Sequence, residues 1–199
     1  MSIQPLLPLL LFAAIATLSP GGATTLATAS GAHFGYRRSL PLMTGIALGL
    51  GILAAASAAG LAGLLLAIPG LAIAIRAIGT AYLLWLAVRL ARSGSPHARG
   101  AAAQPTSFVG GLWLLFNNPK GWAMTLGAAA SFATLADTPG RLALILGLVF
   151  ASASALSLSL WCLAGQMLSR LLRRDWQWRL VNGALAALLA ASILPMWLD

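Results

Sequence analysis

Charged residues are scarce in this chain of 199 residues: they make up 8% of it, whereas hydrophobic residues make up 60%. Too little polar surface is present to cover a water-soluble globule, so the composition excludes that class and predicts a protein that lives in lipid. Acidic residues are the rarest, with 3 Asp and Glu against 12 Lys and Arg. In a soluble protein this excess would suggest nucleic-acid binding, but here the basic residues lie between apolar runs, so membrane orientation explains them better and no nucleic-acid partner is expected.

Cysteine and clustered metal ligands are also lacking. Cys162 is the single cysteine, so no intrachain disulfide can form, and its place in an apolar run favours a small buried residue. No group of His, Cys, Asp or Glu has the spacing of metal ligands, and His33 and His97 are both placed in polar loops. A phosphate-binding Gly-x-x-x-x-Gly-Lys loop and an acid-base pair are missing as well. We therefore expect no enzyme, no cofactor and no metal site.

Six apolar runs approach or exceed the length of about 20 residues that crosses the hydrocarbon layer of a bilayer. A polar linker follows the third run and divides the chain into a first three-helix half (1–91), a cytoplasmic linker (92–107) and a second three-helix half (108–199). The sequence predicts an all-α membrane protein with six transmembrane helices, with a turn at Pro69-Gly70. The runs cover about 3–29, 40–68, 71–90, 108–135, 142–168 and 180–198.

The basic residues predict the orientation of these runs. Nine of the twelve follow the first and fifth runs or flank the linker after the third, which predicts that those loops are cytoplasmic and that both termini lie outside. Because each half has an odd number of crossings, the halves are predicted to be inverted repeats, as in many secondary transporters. The nine residues are Arg37, Arg38, Arg89, Arg92, Arg99, Arg170, Arg173, Arg174 and Arg179.

A cleaved signal peptide over residues 1–29 is an alternative for the first run. Ala27-Thr28-Ala29 resembles a cleavage site, but no Lys or Arg precedes the apolar stretch and the stretch is long. Cleavage would also leave five runs, so we favour a first transmembrane helix.

A proline interrupts the first apolar run of each half, at Pro20 and at Pro119. Proline removes a backbone N–H and clashes with the carbonyl four residues earlier, and neighbouring glycines make non-helical backbone easier to adopt. In hydrocarbon, the carbonyls and helix N-termini that result persist only where protein, water or a ligand satisfies them. We interpret the two breaks as one substrate site near the membrane midplane; a packing kink is the alternative for each. The candidate residues are Pro20, Gly21, Gly22, Thr24, Thr25, Asn117, Asn118, Pro119, Lys120 and Gly121.

Lys120 is the one charged residue among these candidates. A lysine near the membrane centre costs about 2.5–3.5 kcal/mol on insertion scales, so it needs a partner or a watery cavity. It is predicted to hold a substrate carboxylate or to exchange a proton; the alternative is that it snorkels to an interface. No Asp or Glu lies within the six runs, so neutral substrates are favoured over dicationic ones.

Five motifs follow one another along the chain: Ser19-Pro20-Gly21-Gly22, then Ser30 to Arg38, Gly45-Ile46-Ala47-Leu48-Gly49, Gly79 to Arg89, and Asn118-Pro119-Lys120. This combination, over essentially the whole chain, resembles the LysE/RhtB superfamily of amino-acid exporters. The resemblance implies a secondary-active exporter of amino acids or related small metabolites in the bacterial cytoplasmic (inner) membrane, driven by the proton gradient.

The chain departs from that family after the first Pro-Gly. Family members commonly have a second proline and an asparagine there, where this chain has Gly22 and Ala23, so the substrate contacts at the first break are expected to differ. The spacing of Gly45 and Gly49 predicts close helix packing within the bundle, with homo-oligomer formation as a second use. Two other functions stay open: an exporter of metal or inorganic ions with a similar topology, and a membrane scaffold that transports nothing.

Overall fold

The computed structural model describes residues 6–61, 69–92, 105–172, 174–191 and 193. Over these ranges the chain forms eight α-helices and no strand, which confirms the all-α prediction for the described part. A π-helical segment, Ser57–Leu61, extends the third helix, and a 3₁₀ turn, Ala133–Leu135, follows the sixth. The helices are α1 (Leu6–Leu18), α2 (Gly22–Phe34), α3 (Tyr36–Ala56), α4 (Pro69–Ala91), α5 (Phe108–Phe116), α6 (Pro119–Ser131), α7 (Pro139–Leu171) and α8 (Asp175–Ala191).

Both predicted helix breaks are present. Pro20 lies between α1 and α2, which are bent by 58° relative to each other, and Asn118 lies between α5 and α6, with Pro119 as the first residue of α6. Proline suits that position because its missing N–H would have no helical partner there. The first and fourth apolar runs are therefore each a pair of short helices.

Two helical stretches of the described residues are long and apolar enough to cross a membrane by themselves, Tyr36–Gly60 and Pro139–Leu171. The bent pair of α1 and α2 makes a third if it counts as one span. The long stretches pack against each other in opposite directions: the Tyr36 N–H donates to Gln166 Oε1 at 2.8 Å, whereas Gly51, further along α3, lies beside Ala151, an earlier residue of α7. The helices α3 and α7 are therefore antiparallel.

Glycines allow these helices to approach closely. A β-carbon on Gly51 would lie 2.8 Å from the Gly147 carbonyl oxygen, and one on Gly147 would lie 3.2 Å from the Gly51 carbonyl oxygen. A β-carbon on Gly45 would collide with the Phe108 carbonyl of α5, and one on Gly49 would lie 2.9 Å from Leu115 Cδ2. The predicted packing role of the Gly45–Gly49 spacing within the bundle is therefore confirmed.

Two local predictions are wrong. His33 lies in the last turn of α2 rather than in a loop, and its Nε2 is 3.1 Å from Asn182 Oδ1 of α8. Pro69 and Gly70 begin α4 rather than form a turn, because a proline is compatible with the first turn of a helix. His97 and residues 93–104 of the predicted linker lie outside the described residues.

Candidate functional site

The break at Pro20 leaves four carbonyls, those of residues 16–19, without the helical N–H partner four residues ahead. Each of them accepts a hydrogen bond from a side chain. One donor is local, and the other three come from α6 and α7. The bonds are Ser19 Oγ to the Ala16 oxygen (2.9 Å), Ser157 Oγ to the Thr17 oxygen (2.7 Å), Trp161 Nε1 to the Leu18 oxygen (3.1 Å) and Lys120 Nζ to the Ser19 oxygen (2.5 Å).

The break at Pro119 is held by its own segment. Asn118 Oδ1 accepts from the Lys120 N–H at 3.1 Å and so caps α6. Asn117 Nδ2 donates to the Trp113 carbonyl at 2.8 Å, and Trp122 Nε1 donates to the Phe116 carbonyl at 2.7 Å. These side-chain bonds stay within residues 113–122.

Lys120 joins the two breaks. Its Nζ donates to the Ser19 carbonyl and also lies 2.8 Å from Ser19 Oγ, across 101 residues of sequence. Its Cδ would lie 3.1 Å from a β-carbon on Gly21, so the lysine stem crosses directly over that glycine. In the described part of the chain the ammonium has no carboxylate partner, since the single salt bridge there joins Arg141 to Asp137. Backbone and hydroxyl oxygens of the opposite break hold the charge instead.

A cavity lies between the breaks, where the first turns of α2 and α6 meet α1, α3 and α7. Its volume is about 30 Å³, a small, water-sized space. Polar side chains occupy one part of the wall: Thr17, Thr24, Asn118, Lys120, Ser154 and Ser157.

The rest of the wall is largely apolar, and its larger residues come from four helices. These side chains limit the length of a bound group. No Asp or Glu lines the cavity among the described residues. The larger apolar residues are Ile46, Leu50, Leu115, Met124 and Leu158.

Five of the ten candidates from the sequence line this cavity: Gly21, Thr24, Asn118, Lys120 and Gly121. The Thr24 hydroxyl is already engaged, because it accepts from the Gly21 N–H at 2.8 Å and donates to the Gly21 carbonyl at 3.0 Å.

The other five candidates lie near the cavity without lining it. Gly22 and Thr25 are buried in α2, and Asn117 is buried with its side-chain amide donating to the Trp113 carbonyl. Pro20 is exposed, and Pro119 is the first residue of α6.

Sequence reasoning missed the contribution of α1 and α7. Thr17, Ser154 and Ser157 line the cavity, and Ser19 holds Lys120. A signal was present: serines recur at 152, 154, 157 and 159 inside an apolar run, and polar side chains at membrane depth usually face the bundle interior or a cavity.

Over the described residues the protein is helical and apolar, with a polar cavity between two helix breaks, an arrangement that is typical of membrane transporters. The family model of the LysE type translocator matches residues 14–192, so the chain belongs to that family, as the motifs predicted. It is also 31% identical, over 180 residues that cover 90% of each chain, to a cysteine/O-acetylserine efflux protein of Klebsiella pneumoniae subsp. pneumoniae. No solved structure matches the chain. The protein is therefore an integral membrane transporter of the amino-acid export type.

Proposed function

We propose that the protein is a secondary-active exporter that moves small neutral amino acids or related metabolites out across the bacterial cytoplasmic membrane, coupled to protons. The observation that carries this proposal is the Lys120 ammonium, which bridges the two helix breaks over a polar cavity without a carboxylate partner among the described residues. Cysteine and O-acetylserine, the solutes in the relative's name, are the first candidates.

The membrane arrangement that we propose has six spans in two inverted halves, 1–91 and 108–199, joined by a cytoplasmic linker, with both termini outside. The contact between α3 and α7 supports it. Gly51 faces Gly147 and Ala151, and Gly147 faces Gly51 and Ala55, so the contact is unchanged when the two helices are exchanged. A two-fold axis in the membrane plane, the symmetry of an inverted repeat, produces this reciprocity in an antiparallel pair.

The substrate is an amino-acid zwitterion in this proposal, and it takes the place of the contact between Lys120 and Ser19. Its carboxylate binds Lys120 Nζ and the first turns of α2 and α6, whose N-termini carry partial positive charge. Its ammonium binds the Ser19 carbonyl that Lys120 leaves. The site residues that we assign are those named from the sequence, Pro20, Gly21, Gly22, Thr24, Thr25, Asn117, Asn118, Pro119, Lys120 and Gly121, either in contact with the substrate or shaping the breaks.

Neutral side chains are favoured because the cavity wall offers no carboxylate in the described residues. A second positive charge on the substrate would be buried beside Lys120 without a counter-charge, which is costly in hydrocarbon. The same absence means that proton coupling uses Lys120, the substrate amine or bound water.

Uptake into inside-out membrane vesicles tests the function. We expect a proton gradient to drive uptake of L-cysteine or O-acetyl-L-serine into vesicles that contain the protein, and an uncoupler to abolish it. Vesicles from cells without the protein are the control. Uptake of metal ions alone would support the ion exporter, and no uptake of any solute would support the scaffold.

Thiol labelling tests the topology, in a Cys162→Ser background. Asp137→Cys lies between α6 and α7 and is expected to react with an impermeant reagent from outside intact cells. Arg92→Cys, just after α4, is expected to react only after permeabilisation. Labelling of both from the same side would contradict the inverted arrangement.

A further inference from the structure

Ser154 is an unusual polar residue of α7. It is 4% exposed and lines the cavity between the breaks, yet its hydroxyl has no hydrogen bond to any described residue. Its neighbouring serines all have one: Ser152 Oγ donates to the Leu148 carbonyl, Ser157 Oγ donates to the Thr17 carbonyl, and Ser159 Oγ pairs with the Tyr36 hydroxyl.

The absence of a partner is informative because a serine within a helix has an easy alternative. It can donate to the carbonyl four residues earlier, as Ser152 does, and that bond satisfies a hydroxyl in an apolar setting. Ser154 does not make it. A hydroxyl that lines a cavity and is not bonded to its own helix is available to water or to a group that enters the cavity.

We infer that the Ser154 hydroxyl is a specificity determinant: it hydrogen-bonds a polar atom in the short, neutral side chain of the transported amino acid. This inference rests on the proposed function. In that proposal the two charged groups of the substrate already have partners, Lys120 for the carboxylate and the Ser19 carbonyl for the ammonium. The hydroxyl of Ser154 is neutral and both donates and accepts, which suits a side-chain hydroxyl, thiol or ester rather than a charge.

The apolar wall determines how long that side chain can be. Leu158, one turn along α7 from Ser154, lines the same cavity, and Leu50 and Met124 line it from α3 and α6. In this inference the transported side chain is short and has its polar atom next to the β-carbon, so that it meets Ser154 rather than the apolar wall. A long or purely apolar side chain leaves the hydroxyl unpaired, and loss of such a bond is what lets a site reject an analogue.

Competition between two isosteric amino acids tests the inference. L-Serine and L-2-aminobutyrate differ by a hydroxyl in place of a methyl, and both are added as competitors of labelled L-cysteine uptake in inside-out vesicles. We expect the unaltered protein to bind serine about three- to tenfold better than 2-aminobutyrate, and Ser154→Ala to lose that preference. Ser152→Ala, on the exposed face of the same helix, is the matched control and is expected to keep the preference.

Thermal unfolding in detergent separates specificity from a structural role. Ser154→Ala removes no hydrogen bond to the described residues, so we expect its unfolding temperature to stay at or above that of the unaltered protein. An unchanged preference in Ser154→Ala, or equal competition by both amino acids in the unaltered protein, would overturn this inference alone. If labelled L-cysteine and other amino acids were not taken up at all, the proposed function would fail, and this inference with it.

Discussion

At the break at Pro20 and at the break at Pro119, backbone carbonyls accept hydrogen bonds from side chains, but the donors come from different parts of the chain. At the first, three of the four carbonyls left without helical partners accept hydrogen bonds from side chains on α6 and α7, more than 100 residues away. At the second, the side-chain bonds come from Asn117, Asn118 and Trp122 of the same segment. The first break is therefore held by the rest of the bundle, and the second largely by itself.

From this difference we expect the two breaks to respond differently when helices move. We expect a self-capped break to keep its shape when neighbouring helices shift and so to present Lys120 in a fixed place. A break held by other helices changes its hydrogen bonds whenever those helices move. A movement of α7 would change the environment of the Thr17 and Leu18 carbonyls and therefore the position of Ser19, the partner of Lys120.

Removal of the Lys120 ammonium, which joins the two breaks, is expected to have the largest effect on transport. Lys120→Met keeps an unbranched side chain, shorter by one atom, but removes the ammonium, so we expect it to abolish transport in inside-out vesicles while leaving the protein in the membrane. The matched control is Arg141→Met, a charged residue with 46% of its side chain exposed at the start of α7, which is expected to transport normally. Full activity in Lys120→Met would remove this residue from the mechanism.

The dependence of the first break on α7 is tested by Ser157→Ala. This change leaves the Thr17 carbonyl without its side-chain donor in an apolar region, and we expect a loss of about 1–3 kcal/mol in the free energy of unfolding. Denaturation in detergent measures it. Ser152→Ala is again the control. The Ser152 hydroxyl lies on the exposed face of α7 and donates to the Leu148 carbonyl of its own helix. Equal stability of the two variants would show that the first break does not rely on Ser157.

The glycines at the two breaks offer a comparison of smaller effects. A β-carbon on Gly21 would lie 3.1 Å from Lys120 Cδ, whereas one on Gly121 would lie 3.3 Å from Leu115 Cδ1, the end of a side chain that can shift. We expect Gly21→Ala to displace the lysine by a few tenths of an ångström and to slow transport about threefold. Gly121→Ala is expected to slow transport less than Gly21→Ala, because the Leu115 side chain can shift away from the added methyl group. A larger defect in Gly121→Ala would contradict the view that Lys120 acts across the first break.

The features that sequence reasoning found are those with local causes. Pro20 and Pro119 stand beside glycine or asparagine residues that favour a helix end, and the Gly45–Gly49 spacing lies on one helix face, so both patterns can be read along the chain. The contacts of Lys120 with Ser19 and of Ser157 with Thr17 join residues 101 and 140 apart. No periodicity encodes which carbonyl a distant donor reaches. His33 was misplaced for the same reason, since Asn182 and Trp178 of α8 surround it.

The two tryptophans that donate to carbonyls at the breaks give the finest comparison. Trp122→Phe removes the donor to the Phe116 carbonyl within the second break, and Trp161→Phe removes the donor from α7 to the Leu18 carbonyl at the first. Each change deletes one neutral hydrogen bond, so we expect each to cost about 1 kcal/mol in the free energy of unfolding. Transport rates are expected to distinguish the two variants. Trp161→Phe removes a hydrogen bond between α7 and the end of α1, and we expect it to change the transport rate about twofold. Trp122→Phe leaves the bonds of the first break intact, and we expect it to leave the transport rate unchanged. Rates measured in vesicles with matched protein amounts decide between these outcomes, and equal changes in both variants would mean that the second break is no more self-contained than the first.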